Sequence, residues 1–176
     1  MHVDAKKIAI SGVLAAFSAV MLILSSVIES SSLFFIAAAS FCVGISLREW
    51  GVRFGTCYFV ASALVNFLVA PNKMYCFTFS AMGLYILLSE ILWEKIAEKE
   101  TLKNRTRWLW IGKYVIFNML YMPVLFVFPE LLFAKNIPDM GYLILLLAGQ
   151  AALFVFDRAY IYFQGTIWGK MRTKLL

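Results

Sequence analysis

Strict alternation of hydrophobic and polar positions is nearly absent from this chain. Apolar positions run on without a break, interrupted by short clusters of charge, glycine and proline. Such runs predict buried or lipid-facing helices, whereas a membrane β-barrel reads as segments of about ten residues with period two. Six runs stand out, near Ile8 to Val27, Ser32 to Leu47, Val52 to Ala70, Met74 to Trp93, Trp108 to Phe128 and Met140 to Phe156. A helix needs about 20 residues to cross the hydrocarbon core, so six spans take up roughly 120 positions and leave short connections. The pattern predicts an all-α membrane protein, a six-transmembrane-helix bundle forming a single domain over residues 1–176. The first run follows Lys6 and Lys7 and is longer than the apolar core of a secretory signal peptide, so it is expected as a span.

Composition agrees. Hydrophobic residues make up 62% of the 176 positions and charged residues 15%, against about 45–50% and 25% in soluble domains. Charge adds orientation. With a cytoplasmic amino terminus, Lys6, Lys7, Arg48, Arg53, Lys95, Lys99, Lys103, Arg105, Arg107, Lys113, Arg158, Lys170, Arg172 and Lys174 fall inside, and of the 16 basic residues only Lys73 and Lys135 fall outside. This positive-inside bias predicts cytoplasmic N and C termini and a multi-pass protein of the cell membrane. Trp50, Trp93, Trp108, Trp110 and Trp168 flank the same inner ends, where amphipathic rings favour the headgroup region. The net charge of +6 thus points to anionic lipid, and no nucleic-acid motif accompanies it. The segment Glu94 to Trp108 is expected to prolong the fourth helix past the membrane. The carboxy-terminal stretch is expected along the membrane surface, with Ile167, Trp168 and Met171 toward lipid.

Chemistry is sparse. His2 is the one histidine, and Cys42, Cys57 and Cys76 lack metal-ligand spacing, so they read as buried structural thiols and no metal or cofactor is expected. HExxH, GxSxG and GxxxxGK[ST] motifs are missing, which makes an intramembrane enzyme the weakest class and places any ATP hydrolysis on partners.

Polar residues inside or beside the apolar runs carry the functional signal. "NFLVAPNKMYCF", Asn66 to Phe77, is the outer turn between the third and fourth spans: Pro71 ends a helix, Asn72 suits a turn and Lys73 is one of two outer cations. Asn118 and Gln150 fall mid-span and need inward partners, because an unpaired amide in hydrocarbon costs several kcal/mol. Asn66, Asn72, Lys73, Tyr75, Asn118, Tyr121 and Gln150 are therefore the candidate ligand-binding residues, expected around one outward-opening cavity. Helix-ending turn chemistry and interhelical hydrogen bonding account for the same residues without a ligand. Glu29, Glu130, Lys135, Asp139 and Tyr142 add polar character outside. Glu90, near an inner end, is expected to pair with Lys95, Arg48 or Arg53. In the first span, Ser11, Ala15 and Ala19 recur every four residues with Gly12 and Ala16 beside them, a smooth face for a partner helix or for packing within the chain.

Six spans in this length, the basic start "KKIAISGVLAAFSAV" and the Ala15-x-x-x-Ala19 pattern together resemble the substrate-binding S component of energy-coupling factor (ECF) transporters. "REWGVRFGTCYFVASALVNFLVAPNKMY" and "IGKYVIFNMLY" are similar to an uncharacterised S-component-like group. The resemblance implies a small vitamin-like or micronutrient ligand in the outer half of the bundle. It also implies a transmembrane coupling subunit docked on the alanine motif, and ATPase subunits as further partners. A membrane scaffold or assembly subunit of the same fold is the alternative class, distinguished by the lack of an outer cavity.

Overall fold

The computed structural model describes residues 5–97, 104–127 and 139–175, and these are helical apart from short turns, with no strand among them. They gather into two compact units, Met1–Arg105 and Thr106–Leu176. Lys99, Lys103, Glu130 and Lys135 lie outside the described residues.

The first unit begins with α1, Ala5–Val27. It buries Leu14, Ser18, Leu22 and Ser25, spaced three to four residues apart on one face, and Ala19 beside them. Val13, Phe17, Val20 and Val27 are exposed on the others, as suits a helix whose surroundings are themselves apolar. A 3-10 turn, Glu29–Ser31, leads into α2, Ser32–Val69.

α2 is broken at Gly51, whose φ of 83° and ψ of 169° lie where glycine alone is at ease. Eight residues of unbroken helix span about 12 Å. A Cβ built on Gly55 would nevertheless stand 2.8 Å from the Cα of Leu47, so the chain folds back at Gly51 and 32–50 lies against 52–69. Each half is about 27–28 Å long at 1.5 Å per residue. The expected loop between the second and third runs is thus one glycine, and the expected end at Leu47 moves to Trp50. Trp50 and Phe54 meet edge to face across the break, ring centres 5.2 Å apart.

Pro71 sets the next boundary. The residue before a proline is driven out of the helical region, and Ala70 is extended at φ −69°, ψ 131°. Asn72 then caps α3, Lys73–Ala97, its Oδ1 accepting the Met74 N–H at 3.0 Å, the reach of an N-cap side chain to the second helical residue. α3 packs on both halves of α2: a Cβ on Gly83 would meet Phe59 at 2.6 Å and Val43 at 3.6 Å. Leu22, Ile36, Val43, Phe79 and Ile86 form the fully buried centre of this unit.

The second unit holds α4, Arg105–Val127, and α5, Asp139–Tyr162. A π-helical stretch, Phe163–Trp168, follows, and then α6, Gly169–Leu175. Trp168 is buried while Ile167 and Met171 are exposed, so the expectation that all three face lipid together is corrected. α1, α2, α3 and the stretch Ile144–Arg172 are long and apolar enough to cross a membrane.

Candidate functional site

The expected site residues fall four in the first unit and three in the second. In the first, Asn66 is the one whose side chain is fully buried. It shares a face of α2 with Tyr58 and Ser62, one helical turn apart each, and all three are buried. Asn66 Nδ2 donates to Ser18 Oγ of α1 at 3.3 Å, and Ser18 Oγ donates to Ala15 O at 2.9 Å. Asn66 Oδ1 has no hydrogen-bond partner. The Tyr58 hydroxyl lies beside Ser18 yet outside hydrogen-bonding geometry. From α3, Cys76 Sγ donates to the Asn66 backbone carbonyl at 3.2 Å. On the same face of α2 the cluster holds an amide oxygen, an acceptor, without a hydrogen-bond partner, and two turns away a phenol hydroxyl, able to donate or accept, close to Ser18.

The neighbouring candidates have structural work. Lys73 Nζ donates to the carbonyls of Phe67 and Ala70 and lies 5.1 Å from the Phe67 ring centre, closing the end of α2. Asn72 caps α3, as described above, and Tyr75 is half-buried. Turn chemistry accounts for Asn72 and Lys73.

In the second unit, α4 and α5 are joined by polar contacts in antiparallel order. Lys113 Nζ pairs with Asp157 Oδ1 at 2.6 Å, the side chains only 15% and 1% exposed. Gln150 Nε2 donates to Asn118 Oδ1 at 2.8 Å, and Asn118 Nδ2 donates to Tyr114 O at 2.8 Å. The Tyr121 hydroxyl donates to Leu145 O at 3.0 Å. Its ring lies so close over Gly149 that a Cβ there would be 2.7 Å from it. Asn118 and Gln150 thus partner each other.

Elsewhere, Glu90 accepts from Arg48 Nε at 2.9 Å and Nη2 at 2.6 Å, one of its three expected partners. On α1, Ser11 and Ala15 are half-buried and Ala19 is buried, so this stripe turns toward packing inside the chain; Ala9, Gly12 and Ala16 are small and exposed. Cys42 and Cys76 are buried, but Cys57 is exposed, which corrects its reading as a buried thiol. Among the described residues no group of three or more His, Cys, Asp or Glu could hold a metal.

Ser18, Tyr58, Lys113 and Asp157 were not evident as site residues from sequence. Tyr58 had a signal, since it stands two helical turns before Asn66. Asp157 had another, as the acidic residue just past the sixth apolar run. No protein-family model, no curated protein and no solved structure matches this chain.

Proposed function

We propose that this chain is the substrate-binding subunit of an ECF-type uptake transporter, crossing the cell membrane six times with both ends in the cytoplasm. It takes a small polar ligand at Asn66, Tyr58 and Ser18. The six spans are α1, the two halves of α2, α3, α4 and α5; the distribution of basic residues supports their orientation. One observation carries the binding reading. Asn66 Oδ1 is buried without a partner in an apolar interior, where leaving such an atom unsatisfied costs several kcal/mol. A ligand N–H supplies the missing donor. Coupling and ATPase subunits would supply the energy, and the exposed Ala9, Gly12 and Ala16 of α1 permit close approach of a partner helix.

The test is purification of the full chain from its native membrane, with mass spectrometry of retained small molecules and proteins. A bound small molecule that is lost in Asn66→Leu, together with an ATPase and a membrane subunit, is the expected result. A scaffold is the second reading, favoured by the internal partners of Asn72, Lys73, Asn118, Tyr121 and Gln150. Partner proteins retained equally by wild type and Asn66→Leu, without any small molecule, would establish it in place of the first.

A further inference from the structure

α4 carries a further feature that the proposed ligand site at Asn66 does not use. Arg107, Trp110, Ile111, Tyr114, Val115 and Asn118 line one open groove. Their spacing of three and four residues makes a single stripe along the helix. One end is cationic. Arg107 is exposed, and Arg158 of α5 sets its guanidinium 5.4 Å from the Trp110 ring centre and 5.3 Å from that of Phe154. Trp110 itself stacks on Phe154 at 5.6 Å. Among the described residues neither arginine pairs with a carboxylate, whereas the nearby Lys113 is neutralised by Asp157. Beyond Trp110 the stripe turns apolar, with Ile111 and Val115 exposed.

We propose that this groove binds an anionic phospholipid, its phosphate held by Arg107 and Arg158 across Trp110 and one acyl chain laid along Ile111 and Val115. Length favours a lipid over a partner helix. From Arg107 to Asn118 is about 16 Å of helix, close to one leaflet of a hydrocarbon core about 30 Å thick, and a spanning helix would need twice that. Charge favours it too: guanidinium forks match phosphate oxygens, and a tryptophan between them stands where headgroups begin. The inference rests on the membrane placement of α4 and not on transport, so either can fail without the other.

The test uses the full chain in detergent, mixed with equal amounts of phosphatidylglycerol and phosphatidylcholine of matched chains, with retained lipid read by native mass spectrometry. Phosphatidylglycerol should be retained in excess. Arg107→Gln and Arg158→Gln should each reduce that excess roughly fivefold, the contribution of one basic residue near an anionic surface. Lys95→Gln, an exposed cation on α3, should leave it unchanged. Equal retention of the two lipids, or equal loss in Lys95→Gln, would overturn the proposal. A photoreactive residue replacing Ile111 in intact membranes provides a measurement with both arginines in place: a lipid adduct supports the groove, and a polypeptide adduct would make it a protein-docking face.

Discussion

The two units hold their helices together by different balances of close packing and polar contact. In the first, buried serines mostly serve their own helix: Ser25 donates to Leu22 O at 2.7 Å, Ser40 to Ala37 O at 2.7 Å and Ser62 to Phe59 O at 3.0 Å. These bonds satisfy the hydroxyls and add nothing across the interface. Close approach does much of the joining, at Gly55 against Leu47 and Gly83 against Phe59, beside the Arg48–Glu90 pair and the Asn66–Ser18 bond. In the second, α4 and α5 are joined by an ion pair, an amide pair and a tyrosine hydroxyl. Lipid tails are as apolar as the side chains, so burial alone drives little association, and small-residue packing and polar contacts are the two remedies. The two halves weight them differently: the first adds to its close packing the Arg48–Glu90 pair and the Asn66–Ser18 bond, while the second sets three polar contacts beside a single close approach, Tyr121 over Gly149. The polar half is the more exposed to single substitutions, because each contact leaves a stranded partner when broken.

The largest effect is expected at Asp157. Asp157→Ala strands a buried lysine, which typically costs about 3–5 kcal/mol, and thermal unfolding in detergent should show it as a large fall in midpoint. Combining Lys113→Met with Asp157→Leu should recover most of that loss, since apolar replacement of a whole buried pair is often neutral or better. If the double variant were no more stable than Asp157→Ala, the loss would not come from a stranded Lys113.

Gly55→Ala comes next and probes the other half. The new Cβ would stand 2.5 Å from Leu47 Cδ2 and 2.8 Å from Leu47 Cα, and the backbone atom cannot swing away. Overpacking of this kind costs about 1–3 kcal/mol. Leu47→Ala in the same chain relieves the side-chain clash alone, so only partial recovery in the same unfolding assay is expected. Complete recovery would mean that the two backbones are not held together at this point.

What the sequence made legible follows the same division. Apolar runs announced the helices, and Pro71 and Asn72 announced their own turn, because these signals are local. The end of the sixth run did not come out correctly. Asp157 looks like a boundary in a list of residues, yet α5 continues to Tyr162 because Lys113, on another helix, neutralises it. Lys113 in turn read as one more cytoplasmic charge. Pairing across helices depends on their register, which no single run encodes. Gly51 is the intermediate case: a break was evident between Arg48 and Arg53, but its reduction to one residue required the positive φ that the glycine supplies. Of the candidate site, Asn66 stood out as an amide in an apolar run; Tyr58 and Ser18 did not, since both residue types are ordinary in membrane helices.

The amide pair should give a smaller effect than either of the first two. Gln150→Leu removes one interhelical hydrogen bond, and such contacts in membranes are worth about 0.6 kcal/mol on average and about 1.7 at most. Asn118 Nδ2 keeps its bond to Tyr114 O, so only Asn118 Oδ1 loses its donor. A loss above that range would mean that Gln150 does more than bond Asn118.

Ser25→Ala should give the smallest effect and is the sharpest check on the comparison. Ser25 is fully buried, so a view in which every buried polar group ties helices together assigns it a cost like that of Gln150. Its hydroxyl instead closes on Leu22 O within α1. Removing it takes away donor and bond together and leaves a carbonyl that already serves the helix ladder. The change in unfolding free energy should stay within about 0.5 kcal/mol, the range of substitutions that break no network. Ser18→Ala, measured beside it, differs in one respect: it also withdraws the acceptor of Asn66 Nδ2 and leaves that buried amide without a partner, a penalty of about 1–3 kcal/mol. A clear gap between the two serines would separate bonds that satisfy a helix from bonds that join two. Equal, small effects would show that the Asn66–Ser18 bond does not tie α1 to α2.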